Sequence, residues 1–194
     1  MMIYAKAATI KAAMLAQAKF DVRYYLNGLH FIKNQVQATD GHRALRITED
    51  LINAPDEGII LKLSAVPTMR GIETAAIDTD AGIVYWLAMP YDKAEDLEGL
   101  DLKAARVAVG TVDVVDGRYP DFNRVFITPK EGRAGVTEIG FNVEYFATVT
   151  RICKALKMKS SIVKITLQNA TDAAFITINS TNGVAEYAVM PARV

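Results

Sequence analysis

Apolar residues recur at helical spacing near the start of the chain. Over residues 5–20, Ile10 and Phe20 fall on one side of a helix drawn through the sequence. Lys11 and Lys19 fall on the opposite side. A stripe of this kind buries its apolar face and leaves its polar face in water. The pattern therefore predicts an amphipathic helix with a basic outer surface.

A second helical pattern begins at Asn142, whose side chain is placed to cap the first turn. Tyr145 and Ile152 belong to the apolar face of this pattern. Arg151 and Lys154 point mostly away from that face. We therefore expect a second amphipathic helix, whose outer side is also basic.

The other apolar segments are short and favour strands. They are rich in β-branched and aromatic residues, and turn signals such as Asn-Gly at 27–28 and Asp-Gly at 40–41 separate them. Residues 64–75 are a candidate for a short helix, which Pro67 and Gly71 disfavour. The acidic stretch 91–103 has the composition of a solvated loop. The predicted strands lie within 24–31, 35–41, 42–50, 58–63, 82–89, 105–115, 161–169, 173–180 and 184–194.

The order of these elements favours an α+β fold with short antiparallel sheets. About fifty residues at the start and about sixty at the end share the order strand, helix, three short strands. This repetition is one of pattern and not of identity. Two such helices would pack on one side of the sheets and present lysine and arginine in the same direction.

Composition and charge narrow the class of protein. The chain has 194 residues, 51% of them hydrophobic, and a formal net charge of zero, which is typical of a globular protein. No stretch is long and apolar enough to cross a bilayer, so we expect a cytoplasmic protein without a membrane partner. The single cysteine, Cys153, lies within a helical apolar pattern. We expect a buried thiol there, and neither a metal site nor a cofactor.

Several separated segments resemble one family, the bacterial DNA sliding clamp that serves as processivity subunit of the replicative polymerase. In the family's order, they are DVRYYLNGLHF at 21–31, ATDGHRALRI at 38–47, VDGRYPDFNRV at 115–125, IGFNVEY at 139–145 and YAVMPARV at 187–194. The resemblance implies the DNA-clamp fold. It also implies the following division: 1–128 similar to the family's middle domain, 129–136 a linker, and 137–194 similar to the second half of the last domain.

The resemblance covers only part of a clamp. The family's first domain and the first half of its last domain have no counterpart in this sequence. In the family, that lost half supplies one side of the interface that closes the ring. The resemblance therefore implies a shortened relative, in which closure by the usual dimer contact is in question.

The resemblance also implies a hydrophobic groove that binds short peptides of polymerases, the clamp loader and other replication proteins. In this sequence Ala44 stands where the family has a larger aliphatic residue, and Val194 replaces the usual terminal leucine. Apolar anchors and arginines at the rim suit the binding of an extended peptide. The groove residues carried over are Leu26, Thr39, Gly41, His42, Arg43, Pro120, Arg124, Val125, Asn142, Tyr145, Val189, Met190, Pro191 and Arg193.

A second set of residues is expected to contact double-stranded DNA without sequence specificity. Arg23, Tyr24 and Tyr25 match a loop that touches DNA in the family, although such tyrosines also suit a core or strand position. The helix residues expected to contact phosphates are Lys11, Lys19, Arg151 and Lys154, which equally suit ordinary solvated faces. Zero net charge disfavours tight DNA binding through overall electrostatic attraction. A closed ring of several copies could instead stay on DNA because it encircles the duplex.

Two other functions compete with a working clamp. Asp40 and His42 lie close in sequence, but no nucleophile elbow, phosphate loop or HExxH motif accompanies them, so we do not expect an enzyme. The stronger alternative is a clamp mimic or regulator that binds clamp-binding peptides without encircling DNA, as a phage or mobile element could use. The working clamp and the clamp mimic differ in oligomeric state, because a single copy of this size cannot surround a duplex.

Overall fold

The computed structural model describes residues 1–126, 138–158, 162–180 and 183–192. Within these residues the helices are α1 (Ala7–Ala13), α2 (Leu102–Ala105) and α3 (Val143–Ala155), with 3-10 turns at Tyr24–Asn27, Ala94–Leu97 and Phe122–Arg124. The strands are β1 (Met2–Lys6), β2 (Leu29–Ile32), β3 (Gln35–Thr39), β4 (Arg43–Thr48), β5 (Ile59–Leu63), β6 (Thr74–Asp78), β7 (Ile83–Leu87), β8 (Arg106–Val115), β9 (Lys164–Thr166), β10 (Ala174–Ser180) and β11 (Gly183–Val189).

The strands form one sheet in the order β1-β6-β7-β8-β5-β2-β3-β4-β11-β10-β9. Every ladder in it is antiparallel. The long strand β8 joins the part formed by β1, β6 and β7 to the rest of the sheet, because its first half pairs with β7 and its second half pairs with β5. The short strands and antiparallel pairing confirm the architecture expected from the sequence.

Helix α3 forms where the apolar pattern predicts it. The Asn142 side chain accepts a hydrogen bond from the backbone N–H of Glu144 at 2.9 Å, and so satisfies a free donor of the first turn. Val149, Ile152 and Cys153 are buried against the sheet. The burial of Cys153 also agrees with the expectation of a structural thiol.

Helix α1 is shorter than predicted. The backbone before Ala7 belongs to β1, whose Ala5 lies opposite Ala75 of β6. The helix ends at Ala13, so Lys19 and Phe20 lie beyond it. Phe20 is 99% exposed and has a φ of 61°, and its predicted place on the apolar helical face is therefore wrong. The start of the helix is set by the pairing of β1 with the distant strand β6, which local periodicity cannot reveal.

The candidate helix over residues 64–75 does not form. The segment is irregular up to Glu73, and β6 starts at Thr74. Val66 and Ile72 nevertheless pack against the main core. Helix α1 contacts α3 on this side of the sheet. The segment 91–103, expected to be a loop, contains a 3-10 turn and the start of α2.

The main core lies between the two longer helices and one face of the sheet. Trp86, Phe31 and Tyr187 are among its fully buried side chains. A buried aromatic side chain of this size removes about 150–250 Å² of surface from water, so these residues dominate the stabilisation of the fold. No helix in the described part of the chain is long and apolar enough to span a membrane.

Strands β4 and β11 connect the first and last parts of the chain. They pair over six residues, from Arg43 opposite Val189 to Thr48 opposite Val184. The first part has the order β1-α1-β2-β3-β4, and the last part has α3-β9-β10-β11. A single bridge between Gly140 and Ala192 stands where a strand before α3 is expected. The predicted linker 129–136 lies outside the described residues, and the division into domains stays a prediction.

Candidate functional site

The turn between β3 and β4 shapes the start of the candidate site. The Asp40 carboxylate accepts hydrogen bonds from the backbone N–H groups of His42 and Arg43 at 3.0 and 3.1 Å. The buried Thr39 hydroxyl donates to the Arg43 carbonyl at 2.7 Å and accepts from the Gly41 N–H at 3.0 Å. Gly41 has a φ of 90°, which a residue with a Cβ rarely adopts. These bonds hold the turn in one conformation.

Four of the predicted groove residues meet beside this turn. The backbone N–H of Met190 donates to the His42 carbonyl at 3.0 Å. The His42 and Tyr145 rings are stacked with centroids 6.5 Å apart and planes 16° apart. The guanidinium of Arg43 lies 5.0 Å from the centre of the same tyrosine ring. We call His42, Arg43, Tyr145 and Met190 the turn cluster.

Arg43 fixes the turn cluster to α3. Its Nε donates to the Asp40 carboxylate at 2.8 Å, and its NH1 group donates to the Thr148 hydroxyl at 2.7 Å. Arg151 donates to the same hydroxyl at 3.0 Å. Two cationic side chains thus share one neutral acceptor, which keeps positive charge at the end of the β3–β4 turn.

Tyr145 is positioned through its backbone. Its carbonyl accepts a hydrogen bond from the Tyr187 hydroxyl at 3.1 Å. Burial of the Tyr187 ring raises the pKa of that hydroxyl to about 12, so it donates over the whole physiological range. The half-buried Tyr145 side chain packs against the main core, whereas Met190 at the strand end is 47% exposed. The cluster therefore offers one fixed aromatic edge and one adaptable thioether.

Leu26 and Val125, two of the apolar residues predicted for the groove, lie on the other face of the β4–β11 pair. Ala44 and Ala188 lie opposite each other in the ladder. Both pack in one cluster with the fully buried Leu26 and the half-buried Val125. Because successive side chains alternate between the faces of a strand, Arg43 points to the helices and Ala44 points away from them. The predicted residues are thus divided between two faces.

Other predicted groove residues have structural roles in this arrangement. Val189 is fully buried in the helix-side core, and the Asn142 side chain caps the start of α3. Pro120 and Pro191 are half-buried. Arg124 is exposed, with its Nε 3.5 Å from the carboxylate of Asp121. Arg193 lies outside the described residues.

A cavity of about 540 Å³ opens on the helix side of the turn cluster. It brings two predicted groove residues, His42 and Arg43, next to two predicted DNA-contacting residues, Lys19 and Arg151. Its remaining lining consists of Met14, Leu15, Gln17, Ala18, Phe20, Asp21 and Asp40. Since arginine and lysine outnumber the carboxylates here, the cavity favours an anionic or acidic-edged group.

The loop predicted to touch DNA carries an internal ion pair. The Arg23 guanidinium donates to the Asp21 carboxylate at 3.0 and 2.8 Å. These hydrogen bonds hold the pKa of Asp21 at about 2, so the carboxylate stays charged. Tyr24 is exposed, and its ring meets the half-buried Tyr25 edge-on at a centroid distance of 5.8 Å. Of the three predicted residues, Tyr24 presents the most accessible stacking surface.

Both helices expose their predicted basic residues. Lys11 of α1 and Lys154 of α3 line a second cavity, of about 310 Å³, together with residues 66–72. Arg70 and Lys157 line it too, and Lys157 forms an ion pair with Glu73 at 2.7 Å. Sequence patterns did not point to Arg70, because it lies in an irregular segment.

An aromatic ladder on the outer face was also missed. Tyr119, Phe122, Phe126 and Phe175 follow one another with ring centroids 5.9, 5.7 and 5.9 Å apart. The spacing of the first three, three and four positions apart, was a signal that the sequence contained. The ladder packs in one cluster with Leu26 and Ala188, and the predicted groove residue Val125 packs against the same cluster.

No group of three or more histidine, cysteine or carboxylate side chains that could hold a metal occurs among the residues that the structure describes. His30 is occupied by a hydrogen bond to Gln37 at 3.0 Å and by stacking on Tyr119. Asp40 and His42, the pair considered for acid–base chemistry, are joined only through the backbone of the turn.

The fold is that of the DNA sliding clamps. No family model and no curated protein matches the sequence, but solved structures of bacterial clamps match over almost the whole chain. The sliding-clamp sequence resemblance is thereby confirmed at the level of the fold.

Three solved structures illustrate the match. The DNA polymerase III subunit beta of Pseudomonas aeruginosa, bound to griselimycin, is 16% identical with a TM-score of 0.61, over 100% of this chain and 66% of that chain. The sliding clamp of Caulobacter crescentus is 18% identical with a TM-score of 0.58, over 100% and 65%. The beta subunit of Streptococcus pyogenes is 15% identical with a TM-score of 0.53, over 98% and 65%. The chain thus spans about two thirds of the clamps that it matches.

Proposed function

We propose that this chain is a non-enzymatic, clamp-like processivity factor that binds short peptides of replication proteins and contacts duplex DNA without sequence specificity. The observation that carries the proposal is the turn cluster, which joins the first and last parts of a sliding-clamp fold at the β4–β11 ladder. The expected partners are the polymerase, the clamp loader and other proteins with clamp-binding peptides.

The peptide would bind across the end of the β4–β11 ladder. Met190 and the Tyr145 ring supply apolar contacts there, and His42 and Arg43 supply polar groups that fix the direction of an extended chain. On the far side, the aromatic ladder packs with Leu26, which is fully buried. We therefore expect shallow contacts around Met190 to contribute more than the buried Leu26 or Val189.

Replacement of Met190 by alanine tests the peptide site. With a fluorescently labelled peptide that carries a clamp-binding motif of a bacterial replicative polymerase, we expect Met190→Ala to weaken binding about tenfold, because a truncated contact residue at such a site costs over 1 kcal/mol. Fluorescence anisotropy measures the affinity. Griselimycin, the ligand of the Pseudomonas clamp, serves as a second probe.

Met69→Ala is the matched control, since Met69 is 51% exposed, close to the 47% of Met190, and lies in the irregular segment before β6. It should bind the peptide like the wild type. Equal affinity of all three proteins would remove the turn cluster from the site, and no binding by the wild type would count against the peptide-binding function itself.

Charge reversal on the helices tests the DNA contact. Lys11→Glu with Lys154→Glu removes two exposed cations that line one cavity. Each lost phosphate contact lowers the slope of log affinity against log salt by about one, so we expect the slope to fall by about two with duplex DNA. Electrophoretic mobility shifts over a range of salt concentrations provide the measurement.

The control double variant is Lys33→Glu with Lys62→Glu, two exposed lysines on the strands β2–β3 and β5. The same slope in both double variants would contradict a specific DNA-facing helix surface. The alternative function is a clamp mimic or regulator that binds clamp-binding peptides without encircling DNA. Peptide binding without any DNA association in these titrations would favour that alternative.

A further inference from the structure

Strand β9 is the last in the sheet order of the described residues. Lys164, Ile165 and Thr166 pair with β10 on one side, and no strand among the described residues lies on the other side. An open edge presents unpaired backbone donors and acceptors, which a further extended segment can satisfy. Ile165 is 47% exposed there, and Ile162 just before it is 86% exposed.

An apolar cavity of about 260 Å³ lies next to this edge, between β9 and α3. It is smaller than the roughly 300–1,000 Å³ of sites for whole small-molecule ligands, and its size suits one or two apolar side chains. It is lined by Phe146, Val149, Thr150, Cys153, Lys154, Met158, Val163, Ile165 and Ile176.

The first part of the chain shows what covers an equivalent edge. There α1 contacts β3 and β4, and strand β5 pairs with the outer edge of β2. Leu61 of β5 lies opposite Leu29 and is fully buried in the helix-side core. In the last part, α3 lines a cavity together with β9 and β10, and the place that β5 would take has no strand among the described residues.

The lysines near β9 indicate what kind of strand could pair with it. Lys154 lines the cavity, and Lys164 is exposed on β9 itself. Opposite charges on neighbouring strands stabilise pairing, and like charges oppose it. A strand laid along β9 is therefore favoured when it carries carboxylates beside its apolar residues.

We propose that the β9 edge is a second peptide-binding site, which accepts an extended segment of a partner with apolar residues at alternate positions and acidic residues between them. The segment adds an antiparallel strand beside β9, and one apolar side chain enters the cavity as Leu61 enters the core beside β2. This site lies apart from the turn cluster and does not require the function proposed above, and it shares Lys154 with the helix surface proposed there to contact DNA.

The probe is a blocked peptide of alternating glutamate and leucine or isoleucine, long enough to cover the three residues of β9. Cys153 lines the cavity and is nearly buried, so its modification by a thiol reagent reports on occupancy. We expect saturating peptide to slow this modification at least fivefold and to slow amide hydrogen exchange at Ile165 and Thr166. A scrambled peptide of equal composition, in which apolar residues do not alternate, should do neither.

Substitutions test whether protection of Cys153 by the peptide depends on the β9 edge. Ile165→Glu should abolish protection by the acidic peptide, since it replaces an apolar residue that lines the cavity with one that repels the carboxylates of the peptide. Val184→Glu is the matched control, because Val184 is 44% exposed on a strand without this cavity, and it should retain full protection. The proposal is overturned if millimolar peptide leaves Cys153 and the β9 amides unprotected, or if both variants respond alike.

Discussion

Gly183→Ala is expected to destabilise the protein by about 2–4 kcal/mol, because it acts on both the backbone and the β4–β11 ladder. Gly183 has a φ of 131°, which residues with a Cβ rarely adopt. A Cβ there would lie 2.2 Å from the carbonyl oxygen of Thr48. That oxygen belongs to the backbone of β4, so only separation of the two strands relieves the contact. Urea unfolding followed by Trp86 fluorescence measures the loss.

Gly71→Ala is the control for backbone strain alone. Gly71 has a φ of 85°, and a Cβ at this position meets nothing within 4 Å. It should cost about 1 kcal/mol. The difference between the two variants then measures the clash with Thr48. Gly183→Ala should also weaken peptide binding, because Met190 directly follows β11. Equal losses in both variants would show that the ladder tolerates the added methyl group.

The sequence predicted α3 better than α1, for a physical reason. The α3 pattern begins at a capping asparagine and repeats apolar residues through Ile152, so local signals determine both its start and its buried face. The region of α1 is rich in alanine, which is compatible with a helix over a longer stretch than Ala7–Ala13. Its start depends on the pairing of β1 with β6, some seventy residues away.

The candidate site was predictable as a set of residues but not as a surface. The resemblance brought His42, Tyr145 and Met190 into one group, and the structure places these three together. Alternation along a strand puts Arg43 and Ala44 on opposite faces, but the resemblance could not show which of these faces the helices cover, because that requires the tertiary structure. Whether these residues bind a peptide stays a prediction.

Residues in irregular segments escaped the sequence analysis altogether. Arg70 lies where a helix was considered, and only the folded position of residues 66–72 brings it beside Lys11 and Lys154. No periodic pattern describes such a segment, so its contribution to the basic surface required the tertiary structure. The charge-reversal experiment gains from this finding, since Arg70 is a further candidate for phosphate contact.

Glu49 is expected to make the stability of the protein fall as pH rises from about 4.5 to about 7. Its carboxylate is buried, accepts a hydrogen bond from the backbone N–H of Lys6 at 3.0 Å and another from the Thr9 hydroxyl. Burial outweighs these bonds and raises the pKa of Glu49 from 4.5 to about 7. The unfolded chain ionises first as pH rises, so unfolding becomes easier over this window, by about 3 kcal/mol in total.

Glu49→Gln should remove this dependence. The neutral amide can still accept from Lys6, and it can donate to the Thr9 hydroxyl, so the start of α1 keeps both partners. We expect the variant to be about as stable as the wild type at pH 4.5 and more stable by up to about 3 kcal/mol at pH 8. Urea unfolding at a series of pH values gives both curves.

Subtraction of the two curves isolates Glu49. Burial lowers the pKa of His30, which makes stability fall as pH drops, but this contribution is common to both proteins and cancels in the difference. Glu57→Gln is the control, because that carboxylate is exposed, and its curve should follow that of the wild type. A difference between wild type and Glu49→Gln that stays constant from pH 4.5 to 8 would mean that Glu49 ionises in the folded protein as it does in the unfolded chain.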